Sequence, residues 1–152
     1  MATPTTTAQQ VFDIAMGLMA EVNETTGATD TSDTKEYKVR TLFILNALRG
    51  ELFPFSDTFS VSEPGKRPVL PVIDSFESVI GMDDYICQSV MPYGLAAHLQ
   101  LDENTANASF FQQRYEELRD KLAKGFPQAS EAIEDVYGGG MSHPYNEFSR
   151  WG

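Results

Sequence analysis

Between Ala108 and Leu122, the apolar residues Ala108, Phe111, Tyr115, Leu118 and Leu122 return at spacings of three and four, which lines one face of an α-helix. Gly125 supplies the left-handed residue that closes such a helix, and Pro127 enforces the stop. This is the most regular stretch in the chain. It commits the fold to helices packed by one face.

Three earlier segments repeat the pattern. From about Thr7, the residues Val11, Ile14, Ala15, Leu18, Met19 and Val22 share a face. After the loop at 27–32, Asp33-x-x-Glu36 matches a capping box. The stripe Tyr37, Thr41, Ile44, Leu45, Leu48 and Leu52 then runs to Pro54, which stops the helix by Leu52. A further helix is expected from near Asp83, with Ile86, Val90, Tyr93, Ala97 and Leu101 on one side. Pro92 and Gly94 inside it predict a kink. Ser130 to Val136 can form a last short helix before three glycines at 138–140.

Residues 54–73 break the helical rhythm. Thr58 to Ser62 alternates as a strand does, and Glu63-Pro64-Gly65-Lys66 is turn chemistry. The return leg holds Pro68 and Pro71, which permit an edge strand or an extended arm but no central strand. The expected fold class is therefore mainly α. It is a small bundle of four to five helices over residues 1–137, with a β-hairpin or extended loop inserted at about 54–73. An extended C-terminal tail follows at 138–152.

A length of 152 residues suits one domain, and ten Phe with six Tyr exceed what a disordered chain carries. The opening MATPTTTAQQ has no basic and apolar leader, and no apolar run reaches the roughly 20 residues of a membrane span. The lone Cys87 excludes an intramolecular disulfide, so a soluble protein made in the cytosol is expected. The net charge is −11, from 22 acidic and 11 basic residues. Non-specific binding to phosphates needs basic patches, so this surface repels a DNA backbone. Solubility accounts for such a balance, and so does a surface that sits near nucleic acid without sticking to it.

No catalytic residue, cofactor or metal site is expected. Cys87 and His98 are the natural nucleophile and base, but on one straight helix they stand roughly 16 Å apart. A buried structural thiol is the simpler account of Cys87. His98 and Asp102 form an i, i+4 pair, yet two ligands do not hold a metal, and the other histidine, His143, lies in the tail. The doublets Asp83-Asp84, Glu116-Glu117 and Glu134-Asp135 point about 100° apart on a helix, so neither member supports the other at one target. The triple glycine is followed by Met141-Ser142-His143, without the lysine of a phosphate loop.

The tail carries the strongest binding signal. Tyr145, Phe148 and Trp151, with Arg150, follow the three glycines, and aromatic anchors on a tethered segment suit docking into a partner's groove. Folding back over the chain's own bundle is the competing use.

Several residues together resemble a family. Met91-Pro92-Tyr93-Gly94-Leu95-Ala96-Ala97-His98-Leu99 leads to Asp102-Glu103-Asn104, then Asn107-Ala108-Ser109-Phe110-Phe111 and Arg114-Tyr115-Glu116-Glu117-Leu118. With Tyr37-Lys38-Val39-Arg40-Thr41 and Ile44-Leu45-Asn46, this is similar to the head–tail connector (adaptor) proteins of tailed bacteriophages, over about residues 34–137. The long N-terminal helix and the insertion around Pro64 to Pro71 depart from that pattern. The resemblance implies a virion protein of the neck, forming a homo-oligomeric ring of twelvefold symmetry under the portal protein. DNA passes through the hole without specific binding, and a downstream neck or tail protein lies below. It also implies portal contacts from Tyr145, Phe148, Arg150 and Trp151. Phe59, Val61, Lys66 and Arg67 become candidates for touching a neighbouring subunit or the next ring. The alternative is an acidic regulatory binding protein that mimics DNA.

Overall fold

The computed structural model describes residues 3–21, 23–59, 65 and 67–125. Within them the protein is mainly α-helical, as the periodicity predicts. Five α-helices follow one another: α1 Ala8–Leu18, α2 Lys35–Leu52, α3 Asp84–Ser89, α4 Met91–Gln100 and α5 Thr105–Ala123. The expected helix over Ser130 to Val136 and the whole 138–152 tail lie outside the described residues.

Helix α1 begins with a complete capping box. Thr7 Oγ1 accepts from the Gln10 amide, and Gln10 Oε1 accepts from the Thr7 amide at 2.9 Å. Its buried residues are Ala8, Val11, Phe12, Ala15 and Met16, while Ile14 and Leu18 are half-buried. The stripe is thus rotated from the expected one, because Phe12 and Met16 bring more apolar area to the core. The residues just ahead of α1 are tied down. The Thr5 and Thr6 amides donate to Asp84 Oδ1 at 2.9 and 3.0 Å, and Thr6 Oγ1 donates to the same atom at 2.7 Å.

The capping box expected at Asp33 and Glu36 does not form. Thr34 precedes α2, and its hydroxyl serves the loop instead: it donates to the Thr29 carbonyl at 2.6 Å and accepts from the Thr31 amide at 3.0 Å. At the other end α2 stops at Leu52, as Pro54 requires. The chain tightens there into a 3-10 turn over Phe53–Phe55.

No strand occurs among the described residues of 54–73, so the hairpin expectation is not met there. The only β pairing among the described residues is an isolated bridge between Thr7 and Val79. The segment from 67 to 73 gets its backbone partners from α2 instead. Asn46 Oδ1 accepts from the Ile73 amide at 2.8 Å, and its Nδ2 donates to the Ile73 carbonyl at 3.0 Å. Arg49 donates to the Pro71 carbonyl. A side-chain amide presents the same donor–acceptor pair as a strand backbone, so one residue replaces a ladder.

The single kinked helix predicted from Asp83 is two helices broken at Val90. A continuous helix would push the Pro92 ring into the Gln88 carbonyl and leave that carbonyl without a donor. Restarting at Met91 places Pro92 in a first turn, where no amide is needed. Gly94 lies inside α4, which runs unbroken to Gln100.

Helix α4 is the axle of the fold. Met91, Pro92, Gly94, Leu95, Ala96, Ala97, Leu99 and Gln100 are all buried, and only Tyr93 and His98 reach solvent. Helices α1, α2, α3 and α5 pack on it. Tyr37 near the start of α2 donates to Glu103 just before α5, and Glu51 near the end of α2 pairs with Arg119 near the end of α5. The two helices therefore run in the same direction. Leu101, expected on the apolar side, is 63% exposed in the turn after α4.

Candidate functional site

Helix α2 buries Tyr37, Thr41, Leu45, Leu48 and Leu52. At 100° per residue, the opposite side of that helix carries Val39, Phe43, Ala47 and Gly50, and all four are exposed. Phe43 is 79% and Val39 66% exposed. The ridge has no charge along its crest. Lys35, Glu36 and Arg40 flank its N-terminal end, where Arg40 donates to the Leu99 carbonyl at 3.1 Å and lies 3.8 Å from Asp102. A solvated outer face of a soluble helix is ordinarily charged, so an exposed phenylalanine at its centre is the informative feature.

A second apolar surface is concave. The C-terminal half of α4 and the N-terminal half of α5 enclose an open groove of about 480 Å³, lined by Ala97, Leu101, Ala108, Ser109, Gln112 and Glu116. His98 stands on its wall, exposed. Phe110 projects separately from α5, 61% exposed, with its ring edge-on to Phe111 at 5.5 Å.

Two of the residues singled out in the insertion come together. Phe59 and Arg67 line an apolar pocket of about 390 Å³ with Gly50, Phe53, Pro54 and Leu70. The Phe59 ring meets Phe53 at 5.5 Å in an edge-to-face contact. Val69 and Val72 nearby in sequence are 91% and 74% exposed. Val61 and Lys66 lie outside the described residues, as do Tyr145, Phe148, Arg150 and Trp151.

The chemical candidates separate. Cys87 is on α3 and His98 on α4. Burial pushes the Cys87 thiol up to about 12, with the charges of Asp84 and Asp83 adding to the effect, and its sulfur faces the Met82 carbonyl at 3.7 Å. It stays protonated at neutral pH. No cluster of three potential metal ligands occurs among the described residues. The doublet Asp83-Asp84 is occupied structurally: Asp83 takes the Asp57 amide at 2.9 Å, while Asp84 holds the N-terminal threonines. Hydrogen bonds from the Thr6 hydroxyl, then from the Thr5 and Thr6 amides, keep the Asp84 carboxyl below its ordinary range.

Compared with known proteins, the chain matches no protein-family model, no curated protein and no solved structure. The functional reading therefore rests on the surface. No helix of the described residues is long and apolar enough to cross a membrane.

The α2 ridge and the groove were missed by reasoning from apolar stripes. The signal of the ridge was present in Val39, Phe43 and Ala47, which repeat at four-residue steps outside the core stripe. Which of two apolar registers on one helix faces the core is decided only by packing.

Proposed function

We propose that the chain is a head–tail connector of a tailed bacteriophage, a structural protein that forms a ring beneath the portal. The observation that carries this reading is one small acidic protomer with two unlike apolar faces, a ridge on α2 and a groove between α4 and α5. A two-fold dimer needs one self-complementary patch, whereas a ring needs two different patches on each subunit. The resemblance of residues 34–137 to the connector family supports the same assignment.

In this reading Tyr145, Phe148, Arg150 and Trp151 anchor the ring to the portal. The pocket holding Phe59 and Arg67 faces a neighbour or the downstream neck or tail protein. Charge fits the passage of DNA: twelve copies at −11 give a ring of about −130, which favours sliding over adhesion.

The test uses the tail and the one tryptophan. Full-length protein mixed with its portal should show an added ring by electron microscopy, and Trp151 emission should change when the portal is added. A chain truncated before Gly138 should add no ring. Undiminished portal binding by the truncated chain would refute the tail anchor, and absence of any added ring would refute the connector assignment.

A further inference from the structure

We propose that the α2 ridge is the surface by which one copy of this chain holds the next, with Val39 and Phe43 seated in the α4–α5 groove of its neighbour. The inference rests on the ring reading above and names the contact that builds the ring.

Both halves of the contact are on the same chain. The ridge is convex, with Phe43 as its most exposed side chain; the groove is concave and floored by Ala97 and Ala108, with exposed Leu101 at its edge. A second copy covers both kinds of face, and each end of the resulting pair still offers a free ridge or a free groove. Small residues at Ala47 and Gly50 let a neighbouring helix approach the ridge closely, since nothing lies within 4 Å of where a Gly50 Cβ would be.

Charge selects the same pairing. Copies of a chain at −11 repel one another, so a contact forms only where that balance is locally reversed. Residues 35–40 hold Lys35, Lys38 and Arg40 against Glu36 alone. Lys38 and Arg40 answer Asp30 and Asp102 of their own chain, which leaves exposed Lys35, one turn before Val39, as the cation at the head of the ridge. The groove is acidic at both ends once the Arg40–Asp102 pair is set aside, with Glu116 on its wall and exposed Glu103 in the turn beside Leu101. Ridge against groove thus sets Lys35 toward an acidic rim. Ridge against ridge forms a closed pair and leaves both grooves open.

Cysteine cross-linking in the full chain distinguishes these arrangements, because buried Cys87 is a weak competitor for thiol reagents. Phe43→Cys and Ser109→Cys are made separately, mixed, and treated with a short bismaleimide. The mixture should give a dimer that neither variant gives alone. A chain carrying both substitutions should give a ladder of higher oligomers. Independently, Phe43→Asp should weaken self-association by roughly 30-fold or more in sedimentation velocity, the factor an aromatic anchor carries, with unchanged helical circular dichroism.

Preferential self-linking of Phe43→Cys overturns the proposal in favour of a ridge-to-ridge dimer. A wild-type chain that stays monomeric at millimolar concentration, or a mixture that gives no cross-link, overturns it too. Portal binding by a chain that gives no such cross-link leaves the connector assignment standing without this contact. Cross-linking in a chain that ignores the portal does the reverse.

Discussion

A Cβ built on Gly94 would lie 2.9 Å from Leu48 Cδ2 and 3.0 Å from two ring carbons of Tyr115. This glycine therefore marks the point where α2, α4 and α5 come closest. The Leu48 methyl can turn away, but the Tyr115 ring cannot readily yield. Its hydroxyl is buried without a partner in bonding geometry, beside the Glu51–Arg119 pair, and the Arg119 guanidinium lies 5.5 Å from the ring centroid. Burial, and then the Glu51 charge, raise the pKa of that hydroxyl. Gly94→Ala gains the better helix propensity of alanine, about 0.5–1 kcal/mol, and meets an overpacking cost of about 1–3 kcal/mol. The cost should win, with a net loss of about 1–2 kcal/mol in urea unfolding. A variant as stable as the parent would show that the three helices are not in contact there.

Among the elements, the N-terminal segment ahead of α1 depends on one carboxylate of α3. Asp84 accepts from both threonine amides and the Thr6 hydroxyl, and Gln88 Nε2 adds a bond to that hydroxyl at 3.0 Å. The folded pKa of Asp84 is lowered from its ordinary value of 3.8, so its contribution is fully present above about pH 4 and is lost as pH falls through the lowered folded value. Asp84→Asn should therefore destabilise the protein at pH 6, and the gap between variant and parent should close as both are unfolded at progressively lower pH toward 2. A gap that stays constant would mean that the charge of Asp84 does not hold the segment. Asn46 does comparable work for the segment from 67 to 73. Two extended stretches are thus fixed by side chains of helices, which is how a mainly helical protein carries irregular backbone without a sheet.

For the whole molecule, acidity and shape point the same way. An excess of 11 negative charges should keep the protein from retarding duplex DNA in gels even at low salt, where phosphate binding is strongest. Retardation that disappears with added salt would expose a basic track and remove the charge argument for a conduit. The assembly contact is proposed where the surface is apolar, and the portal contact where aromatic residues follow three glycines.

Much of the fold was legible in one dimension. The ends of α2 and α5 follow from Pro54 and from Gly125, which adopts φ +72°, and the α5 stripe from Ala108 to Leu118 is buried as its spacing demands. These features depend on the residues themselves, because proline lacks a donor, glycine tolerates the left-handed region, and a 3.6-residue turn sorts side chains onto faces. What the tertiary structure decided concerns pairs. It set the break at Val90, buried α4 nearly all round, gave Asn46 the role expected of a strand, and left Phe43 outside while Phe12 went in. Each outcome depends on which surface arrives opposite a residue, and periodicity records only that a residue prefers to be covered.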